Sequence, residues 1–247
     1  GKFNLISGNF LRLEYGITNF EKLIEFIGYN SILNLDVKTD ENEEFCDFNK
    51  KITSKYINHF NTAFDFGSGE HIINFYQHIN NIADSLKIDG ELFLFYPANN
   101  MYNHGFYQIS ESALNTFFSK KNGFANQKFF FHDINATSHL KYQKFRYIKN
   151  FNENNNYKSR KRSFIFFYAK KFKEVSNKNL IQPKYDDNEF KKYYNDLILD
   201  NRKFIKELNK FNYSKSSSSL KIILTRLKYS ILYFFYKKKL GKFFKKF

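Results

Sequence analysis

The sequence predicts an α/β domain built on a doubly wound, mostly parallel Rossmann-like sheet, followed by a basic helical C-terminal extension. Three observations predict it. Apolar spacing switches repeatedly between the two-residue period of strands and the 3.6-residue period of helices. The run Glu91–Tyr96 (ELFLFY) is almost continuously apolar, as strands covered on both faces are. Small polar and acidic residues fall where the strand-like segments end, the edge at which open α/β sheets bind ligands.

The elements follow in order. Lys2–Ser7 is a short apolar strand ended by the turn Ser7-Gly8-Asn9. Phe20, Leu23, Ile24 and Ile27 recur at helical spacing, with Thr18 or Asn19 to cap the start and Gly28 to close the end. Ser31–Val37 reads as a strand with Asp36 at its carboxyl end. Glu44–Phe48 reads as a third, carrying Cys46 inward, and Phe60–Phe66 as a fourth that ends in Asp65 and Gly67-Ser68-Gly69. Ile72, Phe75, Ile79, Ile82, Ala83 and Leu86 share one helical face, with Ser68 as a candidate cap. A turn at Lys87–Gly90 leads into the Glu91–Tyr96 strand, which Pro97 stops. Ser110–Lys120 reads as a helix, and Gln127–His132 and Ser163–Ala169 as strands.

The organisation changes after Phe172. We read residues 1–172 as the α/β domain, 173–213 as a helical extension, 214–219 as a Ser-rich linker and 220–247 as a basic amphipathic helix. Charge is divided accordingly. Residues 1–150 hold 15 Lys/Arg against 16 Asp/Glu, whereas residues 151–247 hold 25 against 8. The net charge of +16 therefore resides in the C-terminal part, and nucleic-acid binding by the whole protein would rest on that part alone. From Leu220 onward there are nine Lys/Arg and no acid, with Leu220, Ile223, Leu224, Leu227, Ile231, Phe234 and Phe235 on one stripe. Such a helix suits the anionic surface of a membrane; docking on its own domain, a protein partner and, less favoured, nucleic acid are the other readings. The single cysteine excludes an internal disulfide and a cysteine zinc cluster. No uncharged run is long enough to span a bilayer, so a cytoplasmic location, peripheral at the inner membrane face, is expected. The first residue is Gly, which points to a processed or fragmentary N-terminus.

Two blocks are more specific than any of these patterns. The first is Asn61-Thr-Ala-Phe-Asp-Phe-Gly-Ser-Gly-Glu-His-Ile72; the second, after Asp89–Asn100, is Asn103-His-Gly-Phe-Tyr-Gln-Ile-Ser110, and Asn122-Gly-Phe124 follows. Together they resemble a bacterial, methyltransferase-like branch of the class I S-adenosylmethionine (SAM)-dependent methyltransferases, over roughly residues 3–135. The resemblance implies SAM as cofactor and methyl transfer to a small molecule or a glycan (surface-polysaccharide) precursor. It implies a cofactor site from Ser7, Gly8 and Asn9 in the first turn, Asp36 at the ribose, Asp47 and Phe48 at the adenine end, and Asp65. The glycine-rich G-x-G-x-G of the superfamily is reduced here to Ser7-Gly8-Asn9. A non-catalytic scaffold or binding module, and a nucleic-acid methyltransferase, are the alternative functions.

Each residue has a plainer reading beside it. Asp36 is a ribose ligand or a solvated strand-end acid, and Asp47 belongs to a binding edge or an ordinary turn. Asp65 is a catalytic-site acid or a cap of the next helix. Glu70 and His71 are candidate substrate-binding and catalytic residues, or a capping acid beside a surface histidine. His104 is a candidate base, since an imidazole titrates near neutrality, or part of a structural lid. Asn103, Phe106, Tyr107 and Gln108 are candidate substrate contacts, with the two rings suited to packing on adenine or a sugar face. No metal is expected, because the histidines are too scattered in sequence to read as a ligand set.

Overall fold

The computed structural model describes residues 2–6, 19–26, 28–37, 43–133, 142–146, 161–176, 178, 180–181 and 188–212. Ser7, Gly8 and Asn9, the linker 214–219 and the basic stretch 220–247 lie outside the described residues. The chain divides into two compact units, one of residues 1–2, 34–135 and 145–201, the other of residues 3–33, 136–144 and 202–247.

The first unit contains the candidate site residues from Asp36 onward. Its strands are β2 (Asn34–Asp36), β3 (Glu43–Phe45), β4 (Phe60–Asp65), β5 (Leu86–Asn99), β6 (Phe124–Asp133) and β8 (Ser163–Lys171). Helix α2 (Phe75–Ser85) joins β4 to β5, and α3 (Glu111–Phe117) precedes β6. In the main sheet the order is β6-β8-β5-β4, and Phe145 and Arg146 of β7 (Tyr142–Arg146) pair beyond β6. β4 and β5 run parallel, with Asp65 opposite Leu94. β8 lies antiparallel to both β5 and β6, Phe95 facing Phe166 and Phe130 facing the same residue. β2 and β3 form a separate parallel pair, Asp36 opposite Phe45.

This corrects the expectation of a doubly wound, mostly parallel sheet. The main sheet is mixed, with four α-helices in the described chain. The apolar run Glu91–Tyr96 that suggested a parallel sheet lies in β5, which pairs in parallel with β4 on one side and antiparallel with the returning strand β8 on the other. One sheet face, carrying Leu92, Leu94, Tyr96, Phe129, Phe131, Ile165 and Phe167, forms the core with Ile79 and Ala83 of α2 and Leu114 and Phe118 near α3. The opposite face carries an aromatic ladder, with Phe64 stacked on Phe93 at 5.2 Å and Phe95 on Phe164 at 4.6 Å. Period-two alternation thus serves two packed faces of one mixed sheet.

Local corrections have local causes. β5 continues through Lys87–Gly90, where a turn was expected. Phe60 pairs Leu86 and Thr62 pairs Glu91, so the intervening residues bulge out of register, with Asp89 at φ 67°. Pro97 does not stop the strand either; it pairs Phe164, and its carbonyl accepts from the Ile109 N–H. Helix α2 begins at Phe75, capped by the Asn74 side chain on the Gln77 N–H, and the Ser68 hydroxyl makes no capping bond. Residues 69–71 form instead a single 3-10 turn.

The second unit includes β1 (Lys2–Ile6) from its second residue, and α1 (Phe20–Phe26). Asn19 accepts from the Lys22 N–H at 3.0 Å, and Gly28 at φ 104° ends the helix, as the sequence predicts. Helix α4 spans Asn188–Asn212, inside the helical extension expected over residues 173–213.

Candidate functional site

The site is built on the carboxyl ends of β4 and β5, adjacent parallel strands. Asp65 closes β4. It is buried, and both of its oxygens are engaged: Oδ1 accepts from the Ser68 N–H at 2.9 Å, while Oδ2 lies 2.5 Å from both the His78 Nε2 and the Tyr96 hydroxyl. Burial alone would raise the Asp65 carboxyl; the hydrogen bond and charge of His78, with Tyr96 and the Ser68 amide, outweigh it and hold the carboxyl below its usual range. Burial, and then the neighbouring Asp65 charge, push the Tyr96 phenol upward. Asp65 therefore fixes the turn after β4 by tying it to α2 and β5.

That turn delivers Glu70 and His71. Gly69 is a requirement, because a Cβ there would stand 2.8 Å from the Tyr96 hydroxyl oxygen. The Glu70 side chain is 1% exposed, whereas His71 beside it is half-exposed. The second block closes over them. The Phe106 N–H donates to the Glu70 carbonyl at 2.7 Å, and Gly105, at φ 77°, packs directly on the Glu70 backbone. His104 Nε2 comes to 3.6 Å from Glu70 Oε1, His71 Nε2 to 3.8 Å, and the two imidazole rings stand 5.6 Å apart. Burial raises the Glu70 carboxyl above its usual value; the Asp65 charge adds to this, and the two imidazoles oppose it. Glu70 Oε2 is buried with no hydrogen-bond partner.

The other members of the second block hold the loop. The Tyr107 hydroxyl donates to the Ile73 carbonyl at 2.5 Å and its ring lies against Phe75. Gln108 accepts from the Met101 N–H at 3.0 Å, and Asn103 turns the chain at φ 63°. Phe106 and Tyr102 are exposed.

Asp36 and Asp47 lie apart from that edge, at the separate β2–β3 pair. Asp36 is exposed at the end of β2, and its carbonyl accepts from the Cys46 N–H at 2.8 Å; Asp47 follows Cys46 in the loop after β3. A hydrogen bond with Lys50, then the Asn49 amide, lower the Asp47 carboxyl. The Asp47–Ile52 segment is laced to α2: Asn81 donates to the Lys50 carbonyl and accepts from the Ile52 N–H, and Asn49 accepts from the Asn74 N–H. Phe48 lies edge-on to His78, 5.2 Å between centroids. Asp65 stands at the end of β4, its oxygens taken by the Ser68 amide, His78 and Tyr96.

His78, Tyr96 and the Asn74–Asn81 lacing are absent from the sequence reading. The signal was present as a polar stripe, Asn74, His78 and Asn81, at i, i+4 and i+7 on an otherwise amphipathic helix. The structure also departs from the reading of the histidines as scattered, because Glu70, His71 and His104 bring one ligand atom each to within 4.8 Å of one another. No described helix is long and apolar enough to cross a membrane. No family model matches the chain, and no curated protein matches it.

Proposed function

We propose that the chain is a SAM-dependent methyltransferase acting on a small molecule or glycan precursor, its acceptor seated at Glu70, His71 and His104. One observation carries this reading. The two sequence blocks that bear the resemblance, some 30 residues apart, lock together at one strand edge through the Phe106 N–H on the Glu70 carbonyl and Gly105 against the Glu70 backbone.

SAM supplies a methyl group that is already activated, so the protein's work is alignment and exclusion of water. Asp36 and Asp47 would hold the ribose and the adenine end. The Asp65–His78–Tyr96 triad keeps the turn after β4 rigid, so that Glu70 and His71 hold their positions within the small tolerance such alignment demands. His71 and His104 present half-exposed imidazoles that orient an acceptor oxygen, and Tyr102 and Phe106 offer exposed aromatic faces to a sugar or small ring. Calorimetry with S-adenosylhomocysteine on the full chain tests the reading. Saturable binding that Asp36→Asn weakens is the expected result. No binding at any accessible concentration removes the enzyme and leaves a non-catalytic module.

A further inference from the structure

Glu70 is an unusual residue to leave as it stands. It is 1% exposed, one carboxylate oxygen has no partner, and the other faces two imidazole nitrogens at 3.6 and 3.8 Å. Those separations are too long for hydrogen bonds, so neither histidine satisfies the carboxylate directly. They are instead close to the edge of a coordination tetrahedron, about 3.4 Å for ligands about 2.1 Å from a central ion. We infer that Glu70, His71 and His104 form a binding site for one divalent transition-metal ion of the zinc class, with at least one coordination position open to solvent.

The donor set selects the class of ion. Two imidazoles and one carboxylate suit zinc and its first-row neighbours, whereas magnesium and calcium prefer all-oxygen shells. Three protein ligands leave the fourth position for water or a substrate oxygen, the arrangement of catalytic rather than structural sites. The half-exposure of His71 and His104 gives an ion an approach from solvent, and the buried Glu70 gives it an anionic floor. Among the described residues this is the group whose His, Cys, Asp or Glu ligand atoms converge in this way. Gly105 has a reason here as well. Any side chain at that position would meet Glu70 Cγ at 2.9 Å and displace the carboxylate from between the two rings.

The inference does not depend on the methyl donor, and its test omits SAM. The full chain is stripped with a chelator and titrated with Zn²⁺ alone by calorimetry, with Co²⁺ absorption as a second readout. One equivalent of metal and a cobalt spectrum of low coordination number are expected. His71→Ala, His104→Ala and Glu70→Gln should each weaken binding roughly tenfold or more, since even second-shell losses cost 10–100-fold. His59→Ala, outside the cluster, should bind as the parent does. Both histidines are at the surface, so their variants are expected to fold, and circular dichroism checks it. Absence of saturable one-equivalent binding, or unchanged affinity in both histidine variants, overturns the site.

Discussion

Gly105 approaches Glu70 so closely that a β-carbon at position 105 would lie 2.7 Å from the Glu70 carbonyl oxygen. The backbone there is at φ 77°, a region side chains rarely adopt. Contact and conformation together make this glycine the point where the two halves of the candidate site join. Gly105→Ala should cost about 1–3 kcal/mol, the range for left-handed strain, and more if the loop cannot lift. The Phe106 amide, which donates to Glu70, should lose hydrogen-exchange protection at the same time. A variant with parental stability in urea and a protected Phe106 amide would show that the loop is not held in this way.

Asp36 and Asp65 are both strand-end acids in the sequence, and substitution should separate them. Asp65 is buried and serves three donors, so Asp65→Asn should lower stability by about 2–3 kcal/mol, the value of hydrogen bonds to a buried charge. Asp36 is exposed, and Asp36→Asn should change stability by less than about 0.5 kcal/mol. On the proposed function, Asp36→Asn should instead weaken S-adenosylhomocysteine binding by roughly tenfold. Paired denaturation and calorimetry read both numbers. Equal stability losses in the two variants would contradict this division.

The same comparison shows what the sequence could reveal. Local elements governed by spacing and caps were legible: α1 with Asn19 and Gly28, a helix within the 173–213 extension, and the inward position of Cys46. Strand direction was not, because a run such as Ser163–Lys171 has the same apolar pattern whether its neighbours run with it or against it. Register was hidden too, since a bulge at Lys87–Gly90 and a turn at the same residues use the same amino acids. Within the site, Glu70, His71 and His104 were each visible as polar residues in two blocks. Their meeting depends on the Phe106–Glu70 hydrogen bond, a tertiary contact that no local periodicity encodes.

Asp65 also sets a pH dependence. An Asp in an unfolded chain titrates near ~3.9, and Asp65 in the fold lies lower, held down against its burial by His78, Tyr96 and the Ser68 amide. A depressed carboxylate contributes its full stabilisation above the unfolded value and loses it as pH falls through the folded one. Urea unfolding at a series of pH values should therefore show an acid limb below pH ~4 that is shallower in Asp65→Asn. Glu91 has the opposite sign, because burial raises its carboxyl and the Tyr168 hydroxyl only partly offsets this. Its protonation favours the fold as pH drops, so the Asp65 limb is best read in the difference between the two proteins. Parallel acid limbs would exclude Asp65 as the source.

Lys171 is a buried cation with a structural task that can be measured. Its ammonium donates to the Ala83 and Leu86 carbonyls, each at 2.7 Å, at the end of α2, and pairs with Glu174 at 2.7 Å. Ala83 lies in the last turn of the helix, whose carbonyls lack intrahelical donors, so a strand residue acts as the helix's C-terminal cap. Lys171→Met keeps most of the buried stem but orphans both carbonyls, and should cost about 3 kcal/mol. Glu174 is half-exposed, and Glu174→Gln should cost less than about 1 kcal/mol, as solvent-facing ion pairs do. Chemical denaturation of the two variants distinguishes a capping role from an ion-pairing one. Capping requires the lysine variant to lose several times more stability than the glutamate variant, together with hydrogen-exchange protection at the carboxyl end of α2. If instead the two losses are equal, the ion pair and not the helix end is what Lys171 holds.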